Sequence, residues 1–178
     1  MNRGDPGWLA AGPGSPLYRP PEQLFRGSLG RFATGVAVVA FDHPDGRFGL
    51  TINSFTSVSM EPPLVLVSIG HSASSHVRLE GRAFTVNILA AEQQDLALTF
   101  SGKPGRQPTW IEGRHAPRLA GVLCWFECEP YARYPGGDHT LFLGEVRDYG
   151  SRAGDALGFF NGSFTTFGER RLGHEDLL

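Results

Sequence analysis

The turns of this chain constrain its fold more than any other feature. "VAVVAFDHPDGRFGLTINS" runs apolar, reverses through Pro44, Asp45 and Gly46, and returns as an alternating strand. Proline presets φ, aspartate bonds its own backbone and glycine accepts either hand, so the stretch reads as a β-hairpin. A second hairpin follows in "GVLCWFECEPYARYPGGDHTLFLGEVRDYG", where Gly136 and Gly137 turn one long alternating strand into another. "PPLVLVSIG" is a third strand, apolar on both faces and therefore buried, and "AFTVNIL" alternates as a further one.

Helices fit only around these strands. Pro21 suits a first helical turn that carries Leu24, Phe25, Leu29 and Phe32 at helical spacing, with Gly35 as the stop. "SSHVRLEG" supplies one or two turns behind a serine cap, and "AAEQQDLALTF" predicts a helix. "ALGFFNGSFTTFG" allows short strands at most. The expected total is six or seven strands and two or three helices. Hairpins in place of helical crossovers argue against a doubly wound parallel sheet. The expected fold class is mainly β with flanking helices: a closed or nearly closed antiparallel barrel with helices packed outside. The length, 178 residues at 40% apolar content, suits one domain. That domain is expected over 21–178, after a Gly/Pro-rich segment, 1–20, that reads as a flexible tail.

Several function classes are disfavoured. Net charge is −2 with no basic cluster, so no nucleic-acid footprint is expected. No apolar run is long enough for a membrane helix, and the N-terminus lacks a secretory h-region. Cys124 and Cys128 lie four apart in a strand, roughly 13 Å at strand rise, too far for a disulfide. Reduced thiols suit a cytoplasmic protein. Nucleotide-binding glycine motifs, a nucleophile elbow and H-E-x-x-H are all missing. His71 and His76, five apart, are weakly spaced for a metal and read as solvated.

Two stretches carry candidate chemistry. "GLTINSFTSVSMEPP" is rich in Ser and Thr between two apolar strands. It is either an ordinary polar strand edge or the rim of a binding mouth, with Gly49 allowing a ligand close to the backbone. "GGDHTLFLGEV" places Asp138 and His139 at a turn exit, where the histidine is either solvated or functional.

Taken with "FRGSLGRFATGVAVV", "FTVNILAAEQQDLALTFSG" and "LGFFNGSF", in this order and spacing, these stretches resemble the flavin reductase-like family. The resemblance covers roughly 23–167. It implies an FMN-binding split barrel that uses NADH or NADPH to reduce FMN or FAD. It further implies a homodimer that delivers diffusible reduced flavin to a separate flavin-dependent monooxygenase. By the same resemblance, Thr51, Asn53, Ser54, Ser57 and Ser59 meet the flavin's polar edge through side chain or backbone. Thr34 lies close by, and Ser68 ends near the cofactor. Phosphate contacts come from the loop holding Ser74 and Ser75 and from Phe100, Ser101 and Gly102, with Lys103 or Arg106 offsetting an unfavourable helix end. His139 meets the nicotinamide donor. Asp138 shares that site or caps the turn. Phe160 and Phe164 close the donor pocket or pack the core, and Asn87 touches flavin or satisfies backbone. A flavin-retaining enzyme acting directly on an organic substrate and a non-catalytic flavin-binding barrel are the alternatives.

Overall fold

The computed structural model describes residues 20–168; the expected tail lies outside them. Helix α1 (Pro21–Leu29) starts with proline in its first turn and is capped by the Gly30 N–H on Arg26 O. It buries none of its side chains. The helix stops there and not at Gly35. Gly35 instead joins Thr34 in the short strand β1 (Thr34–Gly35), paired with a strand from the end of the chain.

The first hairpin forms as its turn chemistry predicts. β2 (Ala37–His43) and β3 (Gly46–Ile52) pair from Ala37–Ile52 down to His43–Gly46, with Gly46 at φ +127°. The polar run makes β4 (Thr56–Met60), which pairs with β5 (Pro63–Gly70) across a register shift between Ser57 and Ser59. Helix α2 (Ser75–Leu79) and strand β6 (Phe84–Ile88) follow. The expected single helix after them opens as a 3₁₀ turn (Ala91–Gln93) before α3 (Gln94–Phe100). Two short strands, β7 (Trp110–Ile111) and β8 (Arg118–Leu119), pair inside the next loop. β9 (Cys124–Gly136) and β10 (His139–Ser151) are 13 residues each. Two register shifts bend them, one between Leu143 and Gly144. Gly144 is needed there, because a Cβ would stand 2.6 Å from both Phe84 and Cys128. The aromatic end forms a hairpin, β11 (Ala156–Phe160) and β12 (Ser163–Phe167).

Seven of the strands build one sheet in the order β3-β2-β6-β9-β10-β5-β4, every pair antiparallel. The sheet curls until β3 touches β5. No ladder joins β3 to β4, so the sheet is not closed into the barrel expected from sequence; the fold is mainly β with an open, curled sheet. The gap arises at 53–55, where the chain leaves β3 and enters β4 without pairing.

β2 explains the unbroken apolar run. Ala37, Val39 and Phe41 pack inside the curl with Val67, Ile69, Val86 and Phe142. Val38, with Val36 just before the strand, packs on the other face with Leu89, Leu96, Leu119 and Leu157, beneath α3 and β11. Each fully buried valine contributes about 1.5–3 kcal/mol of transfer free energy. Both faces are covered over 37–41, so that part of the strand has no polar positions, and Asp42 and His43 follow where burial ends.

Candidate functional site

Two grooves flank the gap between β3 and β4. The larger, about 680 Å³, is lined by Thr51, Asn53, Ser101, Lys103, Ser163 and Phe164, among others. The smaller, about 530 Å³, includes Thr34, Asn53, Phe55, Cys124 and Arg152. Asn53 belongs to both. It is exposed, and among the described residues its side chain makes no hydrogen bond. The Thr34 hydroxyl is buried and has no partner. A buried hydroxyl without a partner costs about 1–3 kcal/mol, and a ligand that satisfied it would recover that. These two residues fit the polar edge of a flat heterocycle.

Other expected contacts are committed elsewhere. Thr51 Oγ1 donates to Ala97 O at 2.7 Å, tying β3 to α3. Ser54 Oγ donates to Ser68 O at 2.9 Å and accepts from Ser68 N at 3.1 Å. That pair of bonds spans the unpaired 53–55 segment and holds it against β5. Ser59 Oγ accepts from Glu61 N, and Ser101 Oγ donates to Leu98 O. These hydroxyls are already engaged within the fold, and the Ser101 N–H is bonded to Ala97 O and Leu98 O as well. Ser57 is exposed on the edge strand.

Four expectations change. Gly49 does not open the backbone to a ligand: a Cβ there would collide with the Phe100 ring, which fills the space. Phe100 itself packs on the second core cluster, edge to face with Trp110 at 5.7 Å, and does not line either groove. Asn87 is fully buried: its amide donates to Val38 O and Thr85 O, and its carbonyl accepts from Leu119 N. Of the two roles read from sequence, it fills the second and satisfies backbone in the core. Ser75 is also buried, in the first turn of α2, while Ser74 beside it is exposed. Neither serine lines the grooves. Gly102, at φ +78°, turns the chain so that Lys103 N–H bonds Leu98 O at the end of α3. Lys103, the sequence's single lysine, lines the larger groove just past the end of α3.

The G-D-H turn sits at the far end of β5. His139 pairs with Gly70, and Leu141 with Ser68. A Cβ at Gly70 would stand 3.4 Å from His139 Nε2, so glycine leaves room for the ring to lie across the strand backbone. Asp138, 92% exposed at its side chain, takes His139 Nδ1 at 2.7 Å. The bond holds the Asp138 carboxyl below the usual carboxylate range. It also places the proton on Nδ1 and leaves Nε2 free on the Gly70 side. His139 is not in the lining of either groove; it connects to Asn53 through Gly70, Ser68 and Ser54. Phe160, 41% exposed, ends β11 beside the Asn161–Gly162 turn, while Phe164 lines the larger groove and packs edge to face on Phe159.

His71 and His76, which read as solvated, both converge on Thr140 Oγ1. No local spacing signals this, because the contacts cross from the β5–α2 loop (His71) and from α2 (His76) to β10. No group of three or more metal-ligating side chains exists among the described residues. Nor is any helix long and apolar enough to cross a membrane.

The fold is thus an open antiparallel sheet with two polar grooves at the β3–β4 gap, and with His139 beyond them at the far end of β5. A model described as "Flavin reductase like domain" matches residues 29–168, and the chain belongs to that family. It is 42% identical over 147 residues to the FMN reductase (NADH) SmoA of Agrobacterium fabrum, covering 80% of this chain and 84% of that protein. It is 41% identical over 150 residues to an NADH-dependent FAD reductase of Streptomyces globisporus, covering 74% and 82%. The reductase component of 4-hydroxyphenylacetate 3-monooxygenase from Thermus thermophilus is 38% identical over 71% of this chain and 83% of that one. Among solved structures, flavin reductase PheA2 in its native state superposes with a TM-score of 0.80 at 36% identity, covering 84% of this chain and all of that one.

Proposed function

We propose that the chain is an NADH:flavin oxidoreductase that reduces FMN or FAD for a separate monooxygenase. The observation that carries this reading is the His139–Gly70 pairing: an imidazole lies over bare backbone, one strand from the Asn53–Ser54 edge. Family membership supports it, as do relatives whose names specify NADH with FMN or FAD.

A bound flavin supplies the electron sink for hydride, which accounts for a site without a nucleophile or paired carboxylates. The chain's own residues bind and orient. Thr34 and Asn53 hydrogen-bond the flat polar edge together with free backbone at 53–57. Lys103 and Ser163 meet a phosphate. Phe159 and Phe164 cover the apolar side and exclude water. Asp138 fixes the His139 tautomer so that Nε2 meets the donor's carboxamide and aligns its ring.

The open, curled sheet is on this reading a split barrel, completed by a second copy. The apolar residues left exposed on and just after α1, Phe25 at 67% and Phe32 at 77%, support a dimer. Site residues on open grooves support release of reduced flavin by diffusion. Use of a nicotinamide donor supports a cytoplasmic location. The test is steady-state NADH and NADPH oxidation with added FMN or FAD. Turnover that requires free flavin and no organic substrate is expected. A folded protein that oxidises neither donor with either flavin overturns the proposal.

A further inference from the structure

We propose that Thr140, held between His71 and His76, positions the Asp138–His139 turn and thereby sets how tightly the nicotinamide donor is engaged; this rests on the role given to His139 above. Thr140 Oγ1 lies 3.2 Å from His71 Nε2 and 2.8 Å from His76 Nε2. A hydroxyl has one proton and two lone pairs. At most one of the two nitrogens accepts from it, and the other carries hydrogen and donates. Both rings are thus ordered by one oxygen.

The clamp is anchored on one side only. His76 is half-buried and packs edge to face on the buried Phe142 at 5.7 Å. His71 is exposed and rests against His76, centroids 4.9 Å apart. Backbone completes the tie: His71 N–H donates to Asp138 O at 2.9 Å, and Thr140 pairs with Ile69. Residues 137–138 are exposed, at the end of the β9–β10 ladder and beside the His139–Gly70 pair. A turn that must present an imidazole in one orientation needs such supports, because a loosely held group loses the rate gained by alignment. Thr140 touches neither donor nor flavin on this account; it acts through the turn.

The experiment uses the full chain with Thr140→Val and Thr140→Ser, measuring NADH dependence of flavin reduction and, separately, flavin Kd. Removing the hydroxyl is expected to raise the KM for NADH about three- to tenfold, the worth of roughly one hydrogen bond. Flavin Kd stays within about twofold, and serine restores the wild-type KM. Unchanged KM in the valine variant, failure of serine to restore it, or a flavin Kd that rises in step overturns the proposal. NMR of the ring nitrogens gives a readout independent of turnover. The Nε2 resonances of His71 and His76 both shift in the valine variant; if both stay at wild-type positions, the clamp is absent. A wild-type protein with no NADH:flavin turnover overturns the donor role itself, and the ring resonances then still report whether Thr140 orders both histidines.

Discussion

Asp138 and His139 are neighbours in sequence that act as one unit. The carboxylate is fully exposed, yet the His139 hydrogen bond lowers its proton affinity. Its folded-state affinity is depressed, so the interaction is fully present above the ordinary carboxyl range and is lost only as pH falls below that range, through the lowered folded-state value. Asp138→Asn should therefore raise the fraction of His139 carrying its proton on Nε2, read from ring nitrogen shifts above the imidazole titration. A tautomer ratio equal to wild type would contradict the assignment. The residue types of this site were legible in "NSFTSVS" and "GDH", but not their assignments. Thr51 and Ser54 look alike in sequence to free hydroxyls, and only tertiary partners reveal that backbone has taken them, whereas Ser59 and Ser101 bond backbone two and three residues away. Burial likewise decides the cysteines: it pushes the Cys128 thiol up to about 12, with Glu127 adding to the effect, and raises Cys124 as well. Neither is a thiolate at neutral pH.

The elements that turn chemistry specifies were legible, and those specified by distant partners were not. Both large hairpins follow from Pro-Asp-Gly and Gly-Gly. The β1 pairing does not, because Gly35 has no strand signal and depends on Gly158 across the chain. The loop after α3 is held by a device with no sequence signature. Glu127 is fully buried on β9 and accepts His115 N at 2.7 Å. Arg118 Nε lies 3.3 Å from its other oxygen, with the guanidinium stacked 4.0 Å over Trp125. Gly113 admits no Cβ, which would strike Ala116 O and the Glu127 carboxylate. Removing the cation strands a buried charge. Arg118→Ala should cost about 3 kcal/mol in urea unfolding, the low end for such pairs because Arg118 is 23% exposed. A loss below about 0.5 kcal/mol would mean that the loop is held by other contacts.

At the scale of the molecule, the mainly-β class was legible from hairpins, but closure was not. Whether β3 meets β4 depends on the path of 53–55, and the Ser54–Ser68 bonds hold that path away from a ladder. The exposed face of α1 and Met60, 90% exposed on the edge strand, leave apolar surface that a second copy would cover. Sedimentation velocity should give the mass of two chains, and a fully active monomer would contradict the dimer. The central claim is that His139 engages the donor and not the flavin. Its most direct test is anaerobic stopped-flow reduction of flavin-loaded protein by NADH, comparing wild type with His139→Ala. Loss of one positioned hydrogen bond, about 1–3 kcal/mol, should slow reduction about ten- to a hundredfold at limiting NADH while flavin Kd changes less than about twofold. A wild-type reduction rate in the variant, or a flavin Kd that rises with the loss of rate, would contradict it.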